Sequence, residues 1–259
     1  GPRLAEATRA DEVERARAVT LIHTGCGLAG LRSLDAGSVD LVFCDLPSGE
    51  TQAHFDNPID LAEFWAAAWP ALKPSGAVVL MASSLRFAAD VIASEPKAYR
   101  YDVVWEKGAA SGHLNAHRQP MRAHEFVLVF YRSAATYNAQ MTTGHAEYGR
   151  VVAGPQSANY GQQTAAVVTV GSSERQPRSV LKTQHTGGTE RRHPQQKPQA
   201  LLQWVVRTYT NPGDLVVEPC AGSGSMGVAA TGDGRRYIGW DFEPKPPQAF
   251  DVGLPFGEP

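Results

Sequence analysis

Residues Leu41-Val-Phe-Cys-Asp-Leu-Pro-Ser-Gly-Glu-Thr51 form an apolar run that stops at an acid, a proline and a small flexible pair. Residues 39–44 have the continuous apolar character of a strand that is buried on both faces of a parallel sheet. Asp45 should then emerge at the carboxyl end of this strand, where open α/β sheets bind their ligands. Pro47 lacks an N–H and fixes its own φ, so we expect the carbonyls of Leu46 and Pro47 to remain outside any helix or ladder. A carboxylate beside free carbonyls suits an amine, although a plain turn after a strand has the same pattern.

A second stretch, Asn211-Pro-Gly-Asp-Leu-Val-Val-Glu-Pro-Cys-Ala-Gly-Ser-Gly-Ser-Met-Gly227, predicts a turn, a short strand ending in an acid, a glycine-rich loop and a helix start. Such a loop lets the backbone approach a ligand and directs N–H groups at its anionic parts. About twenty residues later, Tyr237-Ile-Gly-Trp-Asp241 predicts another short strand ending in an acid, placed as the acid that binds ribose hydroxyls in nucleotide-binding folds. This half of the chain is therefore expected to bind a nucleoside-containing cofactor.

In this order, the two stretches resemble the amino DNA methyltransferases of the permuted (beta) class, which methylate exocyclic amino groups using S-adenosylmethionine. The family's Asp/Ser-Pro-Pro-Tyr/Phe box is matched by Asp45-Leu-Pro-Ser48, and its Asp-Pro-Phe-x-Gly-Ser-Gly-Thr box by Glu218-Pro-Cys-Ala-Gly-Ser-Gly-Ser225. Further matches are Trp105-Glu-Lys, Arg122-Ala-His-Glu125, His193-Pro-Gln-Gln-Lys-Pro198 and Tyr237-Ile-Gly-Trp-Asp241. The resemblance runs from about residue 20 to about residue 245 and is nearest to compact phage and prophage-like members.

The resemblance implies a catalytic corner at Asp45, Leu46, Pro47 and Ser48, which acts on a flipped base of duplex DNA. Asp45 and the Leu46 carbonyl would each accept one amine N–H, which localises the nitrogen lone pair for in-line attack on the sulfonium methyl. Asp rather than Ser at the start of the box favours adenine N6 over cytosine N4. The residues implied to bind S-adenosylmethionine are Lys197, Glu218, Pro219, Gly222, Ser223, Gly224, Ser225 and Asp241.

Ser48 departs from the family pattern, because the matching residue is an aromatic that stacks on the extruded base. A substitute ring could come from Phe55, Trp65, Trp105 or Tyr137, and the sequence does not choose among them. Two alternatives stay open on this account: a methyltransferase-like DNA-binding protein without turnover, and a transferase acting on RNA or on a modified phage base. Pro219-Cys220 resembles the nucleophile of carbon-5 cytosine methyltransferases, but its position inside the glycine-rich loop favours packing.

The composition is that of a globular protein, with 42% hydrophobic and 19% charged residues among 259. No apolar run approaches twenty residues and no signal peptide is evident, so neither a membrane span nor export is expected. Cys26, Cys44 and Cys220 are odd in number and lie on or near predicted strands, which favours a reducing compartment, the cytoplasm.

Basic residues concentrate in the middle of the chain. Residues 100–200 contain 12 Lys/Arg, 6 Asp/Glu and 6 of the 8 histidines, a balance of +6 that leaves −8 elsewhere for the net charge of −2. Because phosphate binding depends on local basic surface, this distribution is compatible with a DNA partner. The residues expected to contact nucleic acid are Lys107, Asn115, His117, Arg118, Arg122, Arg150, Arg175 and Arg178. His113 and His117 are spaced as zinc ligands can be, but without a partner carboxylate or cysteine pair we expect no metal.

Strands alternate with helices along the chain, which predicts a doubly wound, Rossmann-like α/β sheet. The elements that we expect include a helix at residues 59–72 whose tryptophans pack in the core, a strand at 77–82, a strand at 101–105 followed by a loop at 106–122, and a helix at 198–210 with Pro198 as its first residue.

We expect a catalytic half at residues 19–132, an irregular target-recognition insertion at residues 133–190, a cofactor-binding half at residues 191–245 and an irregular tail at residues 246–259. By analogy with the family, a homodimer is possible.

Overall fold

The computed structural model describes residues 20–50, 56–152, 167–183 and 197–242. The chain divides into two compact units. Among the described residues, the first unit contains those up to 138 and those from 179 onward, and the second contains those from 139 to 178. No helix in the described ranges is both long and apolar enough to cross a membrane.

The first unit is built on an eight-stranded sheet. Its strands are β1 (Thr20–Thr24), β2 (Val39–Asp45), β3 (Leu72–Ala82), β4 (Tyr99–Ser111), β5 (Arg122–Phe130), β8 (Val180–Lys182), β9 (Leu215–Glu218) and β10 (Arg236–Asp241). Their order across the sheet is β1-β10-β9-β2-β3-β5-β4-β8. Strands β1, β10, β9, β2 and β3 are parallel, β5 is antiparallel to β3 and β4, and β8 runs parallel to β4.

Helices cover both faces of this sheet. They are α1 (Gly27–Ser33), α2 (Leu61–Ala71), α3 (Leu85–Ser94), α4 (Gln199–Tyr209) and α5 (Ser225–Gly232). One core contains side chains of α1, α2 and α3 with Val42 and Leu80, and the other contains α4 and α5 with Leu41 and Phe43. Neighbouring residues of β2 thus enter opposite cores, which explains why this strand is apolar throughout.

Helix starts follow their local sequence. The Asp60 carboxylate accepts from the backbone N–H groups of Ala62 and Glu63, and Ser84 caps α3 by accepting from the N–H of Phe87. In α2, Trp65 is buried and stacks on Trp69, which confirms the expectation that this helix uses its tryptophans for packing.

The predicted doubly wound α/β fold is confirmed, but several boundaries differ. β3 begins at Leu72, directly after α2, rather than at residue 77. β4 continues to Ser111, where a loop was predicted after residue 105, because β4 and β5 form a long antiparallel ribbon. Pro198 is the N-cap of α4 and not its first helical residue.

The second unit contains regular structure where an irregular insertion was predicted. β6 (Tyr148–Val152) and β7 (Val167–Ser172) pair in antiparallel fashion, and Thr142 forms a bridge with Arg175. Valines in both strands supply the β propensity that the polar surroundings obscured. This unit begins at residue 139 rather than 133, and β8 belongs to the main sheet. The predicted tail at residues 246–259 lies outside the described residues.

Candidate active site

The end of β2 presents Asp45 at the carboxyl edge of the parallel strands. Cys44 before it and Leu46 after it are buried, whereas the Asp45 side chain retains 35% exposure. The following turn uses Gly49, which has a φ of 69° and donates its N–H to Asp56 at 2.8 Å. β2 therefore fixes the backbone on both sides of an accessible carboxylate.

Asp45 ends a line of alternating charges formed by Lys107, Glu125, Lys197 and Asp45, here called the charge cluster. Lys197 Nζ donates to Asp45 Oδ2 at 2.7 Å and lies 3.2 Å from Glu125 Oε2. Lys107 Nζ donates to Glu125 Oε1 at 3.4 Å. Lys197 immediately precedes the N-cap of α4, whereas Asp45, Lys107 and Glu125 lie on β2, β4 and β5, so a helix and three strands position the cluster.

The interior of the charge cluster is largely shielded from solvent. The side chains of Lys107, Glu125 and Lys197 are 10%, 13% and 12% exposed. Burial acts to lower the pKa of Lys197, but the carboxylates of Asp45 and Glu125 outweigh it, and the pKa of Lys197 is raised above its ordinary value. Lys197 is thus an ammonium at neutral pH, and it donates a charge-assisted hydrogen bond to Asp45.

Glu218 ends β9, which pairs with β2, so its carboxylate lies at the same edge of the sheet. It is buried and accepts a hydrogen bond of 2.5 Å from the Tyr237 hydroxyl. Burial raises the pKa of Glu218 well above its ordinary value, although the Tyr237 hydrogen bond acts in the opposite direction. Burial therefore opposes ionisation of Glu218, and a cationic group bound beside it would act in the opposite direction.

The glycine-rich loop follows Glu218 and is tied to the end of β10. The Gly222 N–H donates to Asp241 Oδ2 at 2.8 Å, and the Ala221 N–H donates to the Trp240 carbonyl at 2.9 Å. Gly222 and Gly224 have φ values of 51° and 72°, which L side chains rarely adopt. The predicted residues Glu218, Gly222, Gly224 and Asp241 are thus brought together around one loop, and Ser225 begins helix α5.

Ser48 lines a cavity of about 460 Å³ together with Gly49, Glu50, Arg86, Phe87 and Asp90. Of the rings that could replace the missing aromatic, Trp65 and Trp105 are buried in the cores, and Trp105 donates to Thr183 at 2.7 Å. Phe55 lies outside the described residues, and Tyr137 lines a different cavity. Phe87, which was not predicted as a substitute ring, lines the cavity with Ser48, and it too is largely buried, at 8% exposure.

The residues predicted to contact nucleic acid are divided by the structure. Asn115, His117, Arg118 and Arg122 are exposed on the segment that joins β4 to β5. Lys107 differs, since its ammonium is buried against Glu125, and we assign it to the charge cluster rather than to a phosphate contact.

The remaining three predicted nucleic-acid contacts fall in the second unit. Arg175 donates to the backbone carbonyls of Ala146, Ser172 and Glu174, so it braces this unit from within. Arg178 is exposed, and the side chain of Arg150 lies outside the described part of the chain.

Glu125 belongs to the matching motif Arg122-Ala-His-Glu125, and no role was predicted for it from the sequence. Its contact with Lys197 depends on the register of β5 against β3 and β4, which local sequence does not determine. The signal that was available is an acid at the start of an apolar strand, following an 18-residue stretch without another acid.

Comparison with known proteins gives a consistent family. A sequence model for the N6/N4 type of DNA methylase matches residues 39–246. The DNA adenine methyltransferase YhdJ of Escherichia coli (strain K12) is 28% identical over 238 residues, which cover 86% of this chain and 78% of YhdJ.

Solved structures share the fold at lower identity. The M1.HpyAVI–SAM complex has a TM-score of 0.56 at 22% identity and covers 86% of this chain and 92% of its own. The cytosine-N4-specific PvuII DNA methyltransferase has a TM-score of 0.60 at 17% identity, with coverage of 86% and 81%. Since the family model matches well over half of the chain, the protein belongs to the DNA methylases of N6/N4 type.

Proposed function

We propose that this protein transfers a methyl group from S-adenosylmethionine to the exocyclic amino group of a DNA base, with adenine N6 favoured over cytosine N4. The observation that carries the proposal is the position of Asp45. It ends β2, which pairs with β9, the strand that leads into the glycine-rich loop, and its Oδ2 accepts a hydrogen bond from Lys197. The name of the relative YhdJ, an adenine methyltransferase, and the Asp at position 45 support adenine.

The donors and acceptors around the glycine-rich loop fit S-adenosylmethionine. Open space surrounds the position where a Cβ of Gly222 would lie, so the backbone there can approach a ligand closely. In this proposal Asp241, at the end of β10, accepts from ribose hydroxyls, and the buried Glu218 pairs with a cationic amino group. Pro219, Ser223, Gly224 and Ser225 complete the proposed loop.

When bound, this cofactor supplies an electrophilic methyl on a sulfonium, whose C–S electron pair returns to sulfur. Lys197 is engaged by two carboxylates, and its predicted contact with the cofactor carboxylate stays a prediction.

The residues of this chain make the amine more nucleophilic. Because Lys197 occupies Asp45 Oδ2, Oδ1 is the oxygen that accepts from the amine, and no donor among the described residues binds it. The Leu46 carbonyl likewise has no donor in the described ranges and accepts the second N–H, while Pro47 holds the turn without adding a competing donor. These two hydrogen bonds draw the amine hydrogens out of the plane of the base, which localises the lone pair on nitrogen. The nitrogen forms its new bond to carbon and then releases one proton to solvent.

A base inside a duplex cannot reach this corner, so the proposal includes flipping, at a cost of a few kcal/mol that contacts must offset. With Ser48 in place of a ring, Phe87 in the shared cavity is the proposed apolar surface for the base. The order of the chain, with the Asp45 corner before the glycine-rich loop, is consistent with the permuted class. No observation favours the alternatives of a noncatalytic DNA-binding protein or an RNA substrate.

The proposal is tested by Asp45→Ala and Asp45→Asn, measured as methyl transfer to DNA alongside the Kd for S-adenosylmethionine. We expect Asp45→Ala to lower kcat by about 100-fold or more, which corresponds to ~2.7 kcal/mol, with little change in that Kd. Asp35→Ala, which removes an exposed carboxylate before β2, is the matched control and should retain full activity. Full turnover by Asp45→Ala would overturn the assigned mechanism.

A further inference from the structure

The segment joining β4 to β5 is an exposed hairpin tip, here called the basic tip and defined as residues 108–123. Each of its sixteen residues is exposed. The end of the basic tip is nonetheless ordered by hydrogen bonds within the tip. Gly112, with a φ of 91°, leads into a turn at His113–Asn115, and Arg118 donates its N–H to the Asn115 carbonyl at 2.9 Å. The tip is therefore shaped in advance and leaves all its side chains to solvent.

The basic tip extends beyond the edge of the sheet that carries Asp45. Asp45 pairs with Met81 near the end of β3, and Ala82, the last residue of β3, pairs with Phe126 of β5. Since β5 is antiparallel to β3, the four residues from Arg122 to Glu125 continue past that end, by about 13 Å at strand spacing. The turn at residues 112–121 therefore lies on the substrate side of the catalytic corner.

The charge of the basic tip suits a polyanion. It contains Arg118, Arg122, His113 and His117 and no Asp or Glu. A compact basic surface with no acid of its own attracts phosphates, and its arginines and histidines can bind them.

Two side chains of the tip are apolar and cannot bind phosphates through charge. Leu114, in the middle of the turn, is 78% exposed, and Met121 at the return of the loop is 42% exposed. Both lie among basic residues and away from the two cores. An apolar side chain presented on a preformed basic turn has the chemistry of a wedge that enters a base stack while its neighbours hold the phosphates.

We propose that Leu114 inserts into the DNA duplex and fills the space left in the stack when the target base is extruded toward Asp45. This inference rests on the proposed function and extends it, because it makes double-stranded DNA the preferred substrate. Arg118 and Arg122 bind the flanking phosphates and hold the turn in the groove. Leu114 thereby stabilises the flipped state.

The test compares Leu114→Ala with the wild type on native and on heat-denatured genomic fragments. On duplex fragments we expect Leu114→Ala to lower kcat/KM at least 10-fold, whereas on single strands, which have no stack to fill, the loss should stay below 2-fold. Leu114→Met, which keeps a long apolar side chain, should restore most of the duplex activity. Val180→Ala removes an exposed apolar side chain from edge strand β8 and should change neither value.

A second measurement does not depend on turnover. Plasmid relaxed by a topoisomerase in the presence of saturating wild-type protein should show a shifted linking number, because an inserted side chain unwinds the duplex. Leu114→Ala at equal DNA occupancy should lose at least half of that shift, while Asp45→Ala should keep it. Equal shifts for wild type and Leu114→Ala, or equal activity losses on duplex and single strands, would overturn the wedge. Absence of methyl transfer by the wild type would instead overturn the proposed function, and the plasmid result would still decide the wedge.

Discussion

Lys197 lies between the carboxylates of Asp45 and Glu125, which differ in exposure and in proposed role. Asp45 retains solvent exposure and faces the proposed substrate side, whereas Glu125 is shielded and is itself paired with Lys107. Although Lys197 Nζ is 3.2 Å from Glu125 Oε2, that buried oxygen has no partner in hydrogen-bond geometry. We infer that Glu125 is a positioning residue that acts through Lys197, which in turn orients Asp45.

Because Glu125 is inferred to act through Lys197, the effects of substituting these two residues on kcat should not be additive. Lys197→Met should lower kcat by about 10- to 100-fold, the range expected for a lost charge-assisted hydrogen bond of ~1.5–3 kcal/mol. Glu125→Gln should have a smaller effect, and the double variant should be no worse than Lys197→Met, as measured by a double-mutant cycle on methyl transfer.

The matched control is Lys182→Met, which breaks an exposed ion pair with Glu106 and should leave activity unchanged. If the separate losses of the two cluster variants multiply in the double variant, then Glu125 acts independently of Lys197 and the inference is wrong.

Glu218 gives a pH-dependent prediction. Its pKa is raised in the folded state, mainly by burial, so the folded protein binds a proton that the unfolded chain has already released. The contribution of Glu218 to stability is therefore complete below the ordinary carboxyl pKa and is lost as pH rises toward the folded pKa. Glu218→Gln does not titrate, so its stability relative to wild type should increase with pH, by up to about 1.4 kcal/mol per pH unit in that window.

Urea unfolding at several pH values from 4.5 to 8, without cofactor, measures this difference. Glu174→Gln, which neutralises an exposed carboxylate in the second unit, should show no such trend. A stability difference between Glu218→Gln and wild type that stays constant with pH would contradict the assignment.

Helix α1 packs closely on the start of the cofactor loop. A Cβ at Gly27 would lie 1.9 Å from the Pro219 carbonyl oxygen, so the backbone of the loop would have to move. Gly27→Ala is expected to destabilise the protein by about 1–3 kcal/mol and to weaken cofactor binding, measured by urea unfolding and by the Kd for S-adenosylmethionine. Ala29→Ser, on the exposed side of the same helix, should change neither, and an unaffected Gly27→Ala variant would show that the loop is not held by α1.

The sequence predicted elements well where their environment is uniform. β2 is apolar because both of its faces are buried, and α2 has helical periodicity. Prediction from the sequence failed where pairing with another strand determines the secondary structure. The outer part of β4 is exposed and polar, so only its pairing with β5 makes it a strand, and β6 and β7 lie in a polar segment where short valine runs were overlooked.

The whole sheet brings together residues that are far apart in the chain. Asp45 and Lys197 were both predicted at the site, but their contact across 152 positions follows from the packing of α4 on the sheet and could not be derived from spacing. Asp45 and Glu218 share an edge because β2 pairs with β9. Motifs therefore predicted which residues form the site, and only the topology determines which of them touch.

The most direct test of the account is methyl transfer from labelled S-adenosylmethionine to unmodified duplex genomic DNA, followed by nucleoside analysis of the product. The account predicts label in N6-methyldeoxyadenosine, dependent on Asp45. Label in an N4-methylated cytosine would keep the amine mechanism and overturn the base preference. Absence of any labelled nucleoside from a protein that binds both the cofactor and DNA would contradict the central claim.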